Sequence, residues 1–138
     1  MPGVQKSIRL PEETMKEIEQ MVKETGEDFS TITKDLLAEA IKMRRCPGIL
    51  FAEGTRGRRA RVAGTGMEVW EIIATYRSVK QDLKRLKKAY HWLTQEQLRA
   101  ALSYYEVYPR EIDQQIDHNE RWTAERIKER LPLMSLAS

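Results

Sequence analysis

VQKSIRLPEETMKEIEQMVKETGEDFSTITKDLLAEAI, residues 4–41, is the stretch that decides how the amino-terminal third folds. Its first seven residues alternate as a strand does, with Val4, Ile8 and Leu10 on one face and Gln5, Ser7 and Arg9 on the other. Lys6 interrupts the apolar face. Pro11 ends the strand and suits the first turn of a helix, where Glu12 and Glu13 meet the positive end of the dipole. Met15, Ile18, Met21 and Val22 continue at helical spacing until Gly26 supplies a stop. A second helix carries Phe29, Ile32, Leu36, Leu37, Ala40 and Ile41 on one stripe, and Asp28, Ser30 and Thr31 compete to cap it.

Strand, helix, helix in about 40 residues is too little chain to bury a core alone. A lone strand also leaves its N–H and C=O groups without partners. The simplest solution is a two-fold dimer in which two copies of the strand pair antiparallel. In order, length and composition the segment resembles the ribbon-helix-helix family. IRLPEET is similar to that family's passage from strand to helix, and Leu36–Leu37 with Ala40–Ile41 to the apolar pattern of its second helix. One departure is that GEDFSTITKDLL holds about one extra turn before the second helix. A two-stranded ribbon fits the major groove, so Gln5, Ser7 and Arg9 are the expected base contacts. The resemblance also implies a phosphate at the start of the second helix, where Ser30, Thr31 and Thr33 add hydroxyls.

Beyond this segment, KMRRCPG (42–48) reads as a short basic connector. ILFAE and RRARVAG flank GTRG and predict a β-hairpin with an arginine-rich tip. Helices are expected over 67–77, 79–90 and 94–106, the last opened by a Thr94–Gln97 capping box. A final one starts at Pro109, with a break near Trp122–Thr123. AGTGMEVWEIIATYR (63–77) and the run from Trp92 through LTQEQLRAALSYYEVYPREID resemble domain-of-unknown-function family 433. With the hairpin, that resemblance covers roughly residues 47–117. The family's commoner Gly-Thr-Arg is Gly64-Thr65-Gly66 here, so no role attached to that arginine carries over. The resemblance implies a small winged helix–turn–helix domain of antitoxin type, paired with a PIN-like ribonuclease toxin.

Charge supports a polyanion partner. Lys and Arg outnumber Asp and Glu by 11 to 5 over residues 49–99, while both flanking regions are slightly acidic. Arg56, Arg58, Arg59 and Arg61 crowd the hairpin, and Lys84, Arg85, Lys87 and Lys88 the helix after it. Phosphates or an acidic partner surface would both suit them. The expected recognition helix, 94–106, turns Gln95, Glu96, Arg99 and Ser103 outward, which is weakly basic for a groove reader. Tyr104, Tyr105, Tyr108 and Trp92 suggest an aromatic core cluster. The amphipathic stretch 119–138, with Trp122, Ile127, Leu131 and Leu133, can dock on its own domain or clamp a partner.

Catalysis finds no motif. His91 and His118 lack metal-ligand spacing, Cys46 is the single cysteine, and no nucleophile elbow, P-loop or dinucleotide fingerprint occurs. No cofactor or metal is expected, no membrane span or secretion signal is present, and the chain reads as cytoplasmic. The expectation is a mainly α protein with short β. A ribbon-helix-helix dimerisation module over 1–45 precedes a helical, winged helix–turn–helix-like domain with a β-hairpin over 46–138. Its expected role is that of a homodimeric antitoxin and autorepressor, binding double-stranded operator DNA and a PIN-like toxin. A stand-alone repressor and a protein-binding adaptor are the alternatives.

Overall fold

The computed structural model describes the backbone of residues 3–136 and the side chains of residues 3–129. Mainly α with short β holds. Two helices, α1 (Glu12–Thr25) and α2 (Phe29–Arg45), precede a hairpin of β1 (Ile49–Gly54) and β2 (Gly57–Val62). Four more complete the chain: α3 (Val69–Ser78), α4 (Leu83–Ala89), α5 (Gln95–Val107) and α6 (Pro109–Leu136). The chain divides into two compact units, residues 1–42 and 43–138, with the division near the end of α2.

In the first unit, Pro11 sits at the head of α1 with extended backbone, and Glu12 and Glu13 occupy the first turn. Gly26 closes the helix in a left-handed conformation, donating its N–H to the Val22 carbonyl at 2.9 Å. α2 then begins at Phe29, only three residues after Gly26, so the extra turn expected there is absent. Asp28 wins the capping competition by accepting from the Thr31 N–H at 2.9 Å. Residues 4–10 form no strand within the single chain. A segment with no second strand beside it has no ladder to join. Among the described residues of this unit only Ile18 and Ile32 are buried, whereas Val4 is 84% and Ile8 75% exposed. Met21, Phe29, Leu36, Leu37 and Ile41 are exposed as well.

The second unit holds a continuous core. β1 and β2 pair antiparallel with Ile49 opposite Val62, Phe51 opposite Ala60 and Gly54 opposite Gly57. That register puts Ile49, Phe51, Ala60 and Val62 on one face, packed with Val69, Ile72, Ile73, Leu86, Leu98, Ala101, Tyr104, Ile112 and Ile116. α3 is the hub, contacting β2, α4, α5 and α6. Gly48 permits a close approach: a Cβ there would lie 3.1 Å from that of Ala100, and its φ of +88° suits glycine.

Several boundaries differ from expectation. The connector after residue 42 is largely helix, because α2 runs to Arg45. The helix expected from 79 starts at Leu83, since Lys80 and Gln81 are both left-handed (φ 57° and 60°) and Asp82 provides its N-cap. α6 passes through Trp122–Thr123 unbroken. The Thr123 hydroxyl donates to the Asn119 carbonyl at 2.9 Å, so its polar group is satisfied inside the helix. No helix among the described residues is long and apolar enough to cross a membrane.

Candidate nucleic-acid interface

Gln5, Ser7 and Arg9 are all exposed on the segment ahead of α1, as are Val4, Lys6 and Ile8. Paired as a strand, the segment would carry them together on the side opposite Val4 and Ile8.

At the start of α2, Ser30 and Thr31 are exposed, while the Thr33 hydroxyl donates to the Phe29 carbonyl at 2.7 Å. The anionic position beside the free N–H groups is taken by Asp28. Hydrogen bonds from the Thr31 side chain and backbone hold its carboxyl below the ordinary value. In the chain alone, this helix end is therefore already served by a carboxylate.

The four hairpin arginines do not form one exposed face. Arg56, at the turn, is half-buried: its Nη1 donates to the Asn119 Oδ1 at 3.4 Å and its guanidinium lies 4.8 Å over the Trp122 ring. Arg58 is exposed beside Glu53 at 3.6 Å and also donates to the Phe51 carbonyl. Arg59 and Arg61 share the face away from the core, as alternation requires, yet Arg59 is only 8% exposed. Arg61 is half-buried, donates to the Glu53 carbonyl at 3.2 Å, and keeps its Nε buried without a partner among the described residues. Of the expected phosphate contacts in the hairpin, Arg58 alone is solvent-facing. The cover of Arg56 comes from α6, which no local pattern reveals.

A different surface carries a cluster of exposed cations. On α4 only Leu86 is buried, and Lys84, Arg85, Lys87 and Lys88 are exposed around it. On α5, Gln95, Glu96, Arg99 and Ser103 face outward as expected.

The aromatic residues separate into two environments. Tyr104 is fully buried against Phe51 and Tyr108, with its hydroxyl donating to Glu111; burial, then that carboxylate, pushes its pKa far up. Tyr105 donates to Asp113 at 2.8 Å and accepts from Arg77 at 2.6 Å, tying α3, α5 and α6 together. Trp92 does not join this core. It stands 61% exposed, edge-on to Tyr90 and His91. Trp122 is exposed too, with the Arg126 guanidinium 4.5 Å from its ring centroid. The side chains of Leu131 and Leu133 lie outside the described residues. Cys46 is buried, and burial raises its thiol pKa. Among the described residues, no cluster of three or more His, Cys, Asp or Glu is placed to hold a metal ion.

The second unit is thus a helical domain built round α3 with a hairpin closing one side of its core. Residues 49–105 match the family described as Protein of unknown function (DUF433). A solved structure of a DUF433 member protein from Anabaena variabilis ATCC 29413 is 30% identical, over 78% of this chain and 99% of that one, with a TM-score of 0.44. The chain belongs to the DUF433 family. No curated protein matches it.

Proposed function

We propose that the chain is a cytoplasmic, homodimeric DNA-binding regulator of antitoxin type, which acts by binding rather than catalysis. Its first unit pairs with a second copy through residues 4–10 to form a ribbon-helix-helix module. The ribbon lays Gln5, Ser7 and Arg9 in the major groove of an operator in the chain's own promoter. The second unit and the α6 extension engage a PIN-like ribonuclease toxin.

One observation carries this reading: the first unit buries two isoleucines while leaving Val4, Ile8, Leu36, Leu37 and Ile41 in solvent. Burial of apolar surface stabilises by about 25 cal/mol per Å², and two buried side chains fall well short of the entropy of ordering some forty residues. A second copy supplies both the missing apolar cover and the missing strand. The polar face of that strand then projects outward with alternate side chains, the geometry a groove reader needs. The toxin-facing part is supported by α6, whose residues from 120 to 129 are all exposed and include Trp122 and Ile127.

The test is a mobility-shift titration on the DNA upstream of the gene, with Arg9→Ala beside the wild type. A guanine-gripping arginine contributes about 1–3 kcal/mol of discrimination, so the variant should bind promoter and scrambled duplex more nearly alike. Unchanged sequence preference in Arg9→Ala would refute the ribbon assignment. For the toxin, co-purification with the product of the adjacent gene is expected. A DNA-binding chain without such a partner would be a stand-alone repressor.

A further inference from the structure

We propose that α4 and the turn behind it form a second contact with duplex DNA, one that grips phosphates and does not read bases. The inference rests on the DNA-binding reading above, but on a different unit and different residues. Leu86 anchors α4 in the core, and the rest of the helix is presented to solvent. Helical spacing makes Lys84 and Lys88 neighbours, and Arg85 and Lys88 also. Like charges so placed repel, and an anionic partner relieves that repulsion. The nearby carboxylate, Asp82, is occupied: its Oδ1 accepts from the Lys84 and Arg85 N–H groups, and its Oδ2 lies 3.7 Å from the Arg85 side chain. Lys87 donates to the Leu93 carbonyl. Lys80, Lys84 and Lys88 have no partner among the described residues.

Two further features converge on this surface. Lys80 and Gln81 are consecutive left-handed residues, a conformation costing side-chain-bearing residues roughly 1–2 kcal/mol each. They set where α4 begins and keep Lys80 at its head. At the other end stands Trp92, 61% exposed, with an indole N–H able to donate to a phosphate oxygen.

The partner is duplex DNA rather than an acidic protein. At 1.5 Å per residue α4 is about 10 Å long, a span over which one DNA strand presents about three phosphates. The apolar residues beside the cations are Leu83 and Trp92 at opposite ends of the helix, with no contiguous apolar centre of the kind protein interfaces have. The outward face of α5, the next helix, mixes Glu96 with Arg99, which suits positioning and not base readout.

The test uses the full-length chain with Lys84→Ala and Lys88→Ala combined. Both side chains are exposed, and alanine favours helix, so circular dichroism should match the wild type. Binding is followed on promoter and scrambled duplexes from about 50 to 200 mM salt. The slope of log affinity against log salt should shrink by about 1.8, or 0.9 for each lost phosphate contact, and affinity should fall equally on both duplexes. An unchanged slope overturns the proposal, as does a loss confined to the promoter duplex. Weakened binding to poly-glutamate with DNA binding intact would assign the surface to a protein and overturn it too. The two readings fail separately. If only the ribbon reading is wrong, Arg9→Ala keeps sequence preference while the α4 variant still lowers the slope.

Discussion

Tyr104 shows how much a single side chain holds in place. Its ring is fully buried, and its hydroxyl donates to the Glu111 carboxylate at the start of α6. Tyr104→Phe keeps the ring and removes that donor, so it should cost about 1–2 kcal/mol in urea unfolding, against about 3–5 for Tyr104→Ala. Glu71 makes a pH prediction. Burial first, and then Glu68, raise its carboxyl pKa above the ordinary 4.5. The folded state therefore holds the proton more tightly than the unfolded one, and the charged form destabilises at neutral pH. Glu71→Gln should raise the unfolding midpoint at pH 7, and its advantage should fade as pH falls through the raised value toward 4.5. At this scale the exposure of Gln5, Ser7 and Arg9 is legible in the sequence, but Val4, Lys6 and Ile8 are exposed as well, so the single chain shows no alternation of faces. The fate of Arg56 is not legible, because its cover from Asn119 and Trp122 comes from more than sixty residues away.

The elements that announce themselves are those with capping chemistry in the sequence. α5 begins where Thr94 and Gln97 say it should: the Thr94 hydroxyl accepts from the Gln97 N–H at 3.1 Å, and Gln97 returns the bond to the Thr94 N–H at 2.8 Å. Thr94→Ala should destabilise by about 1 kcal/mol, seen as faster hydrogen exchange in the first turn of α5. The hairpin is equally plain, with GTRG between alternating runs. α4 is not, because its start is set by Lys80 and Gln81 in a conformation that glycine or asparagine usually signals. Gln81→Gly should therefore be neutral to stabilising by up to about 1 kcal/mol, in contrast to glycine elsewhere in a helical region. The first segment has the pattern of a strand, and a strand exists only when something pairs with it. Its periodicity is visible in one chain, its ladder is not.

Taken whole, the molecule joins a unit with a continuous core to one that nearly lacks one. Among the described residues, the core cluster lies between Cys46 and Ile116. On the pairing proposed above, amide protection over residues 12–42 should rise with protein concentration, while protection over 69–116 should not change. Equal protection of both units at high dilution would show the first unit stable as a monomer. The family resemblance is legible from 63–77 and 92–113 because glycine, tryptophan and tyrosine positions in that run are distinctive. The α4 surface is visible only as a charge run, since nothing local distinguishes a free lysine from a paired one.

A half-molecule that leaves Val4, Ile8, Leu36, Leu37 and Ile41 uncovered has a consequence for the cell's supply of it. On the function proposed above, in which only pairs are complete, operator occupancy grows with roughly the square of subunit abundance when subunits are scarce, and unpaired copies offer open chain to proteases. Scarcity would then release the promoter sharply and shorten the lifetime of the remaining copies, making the regulator a gauge of its own stock.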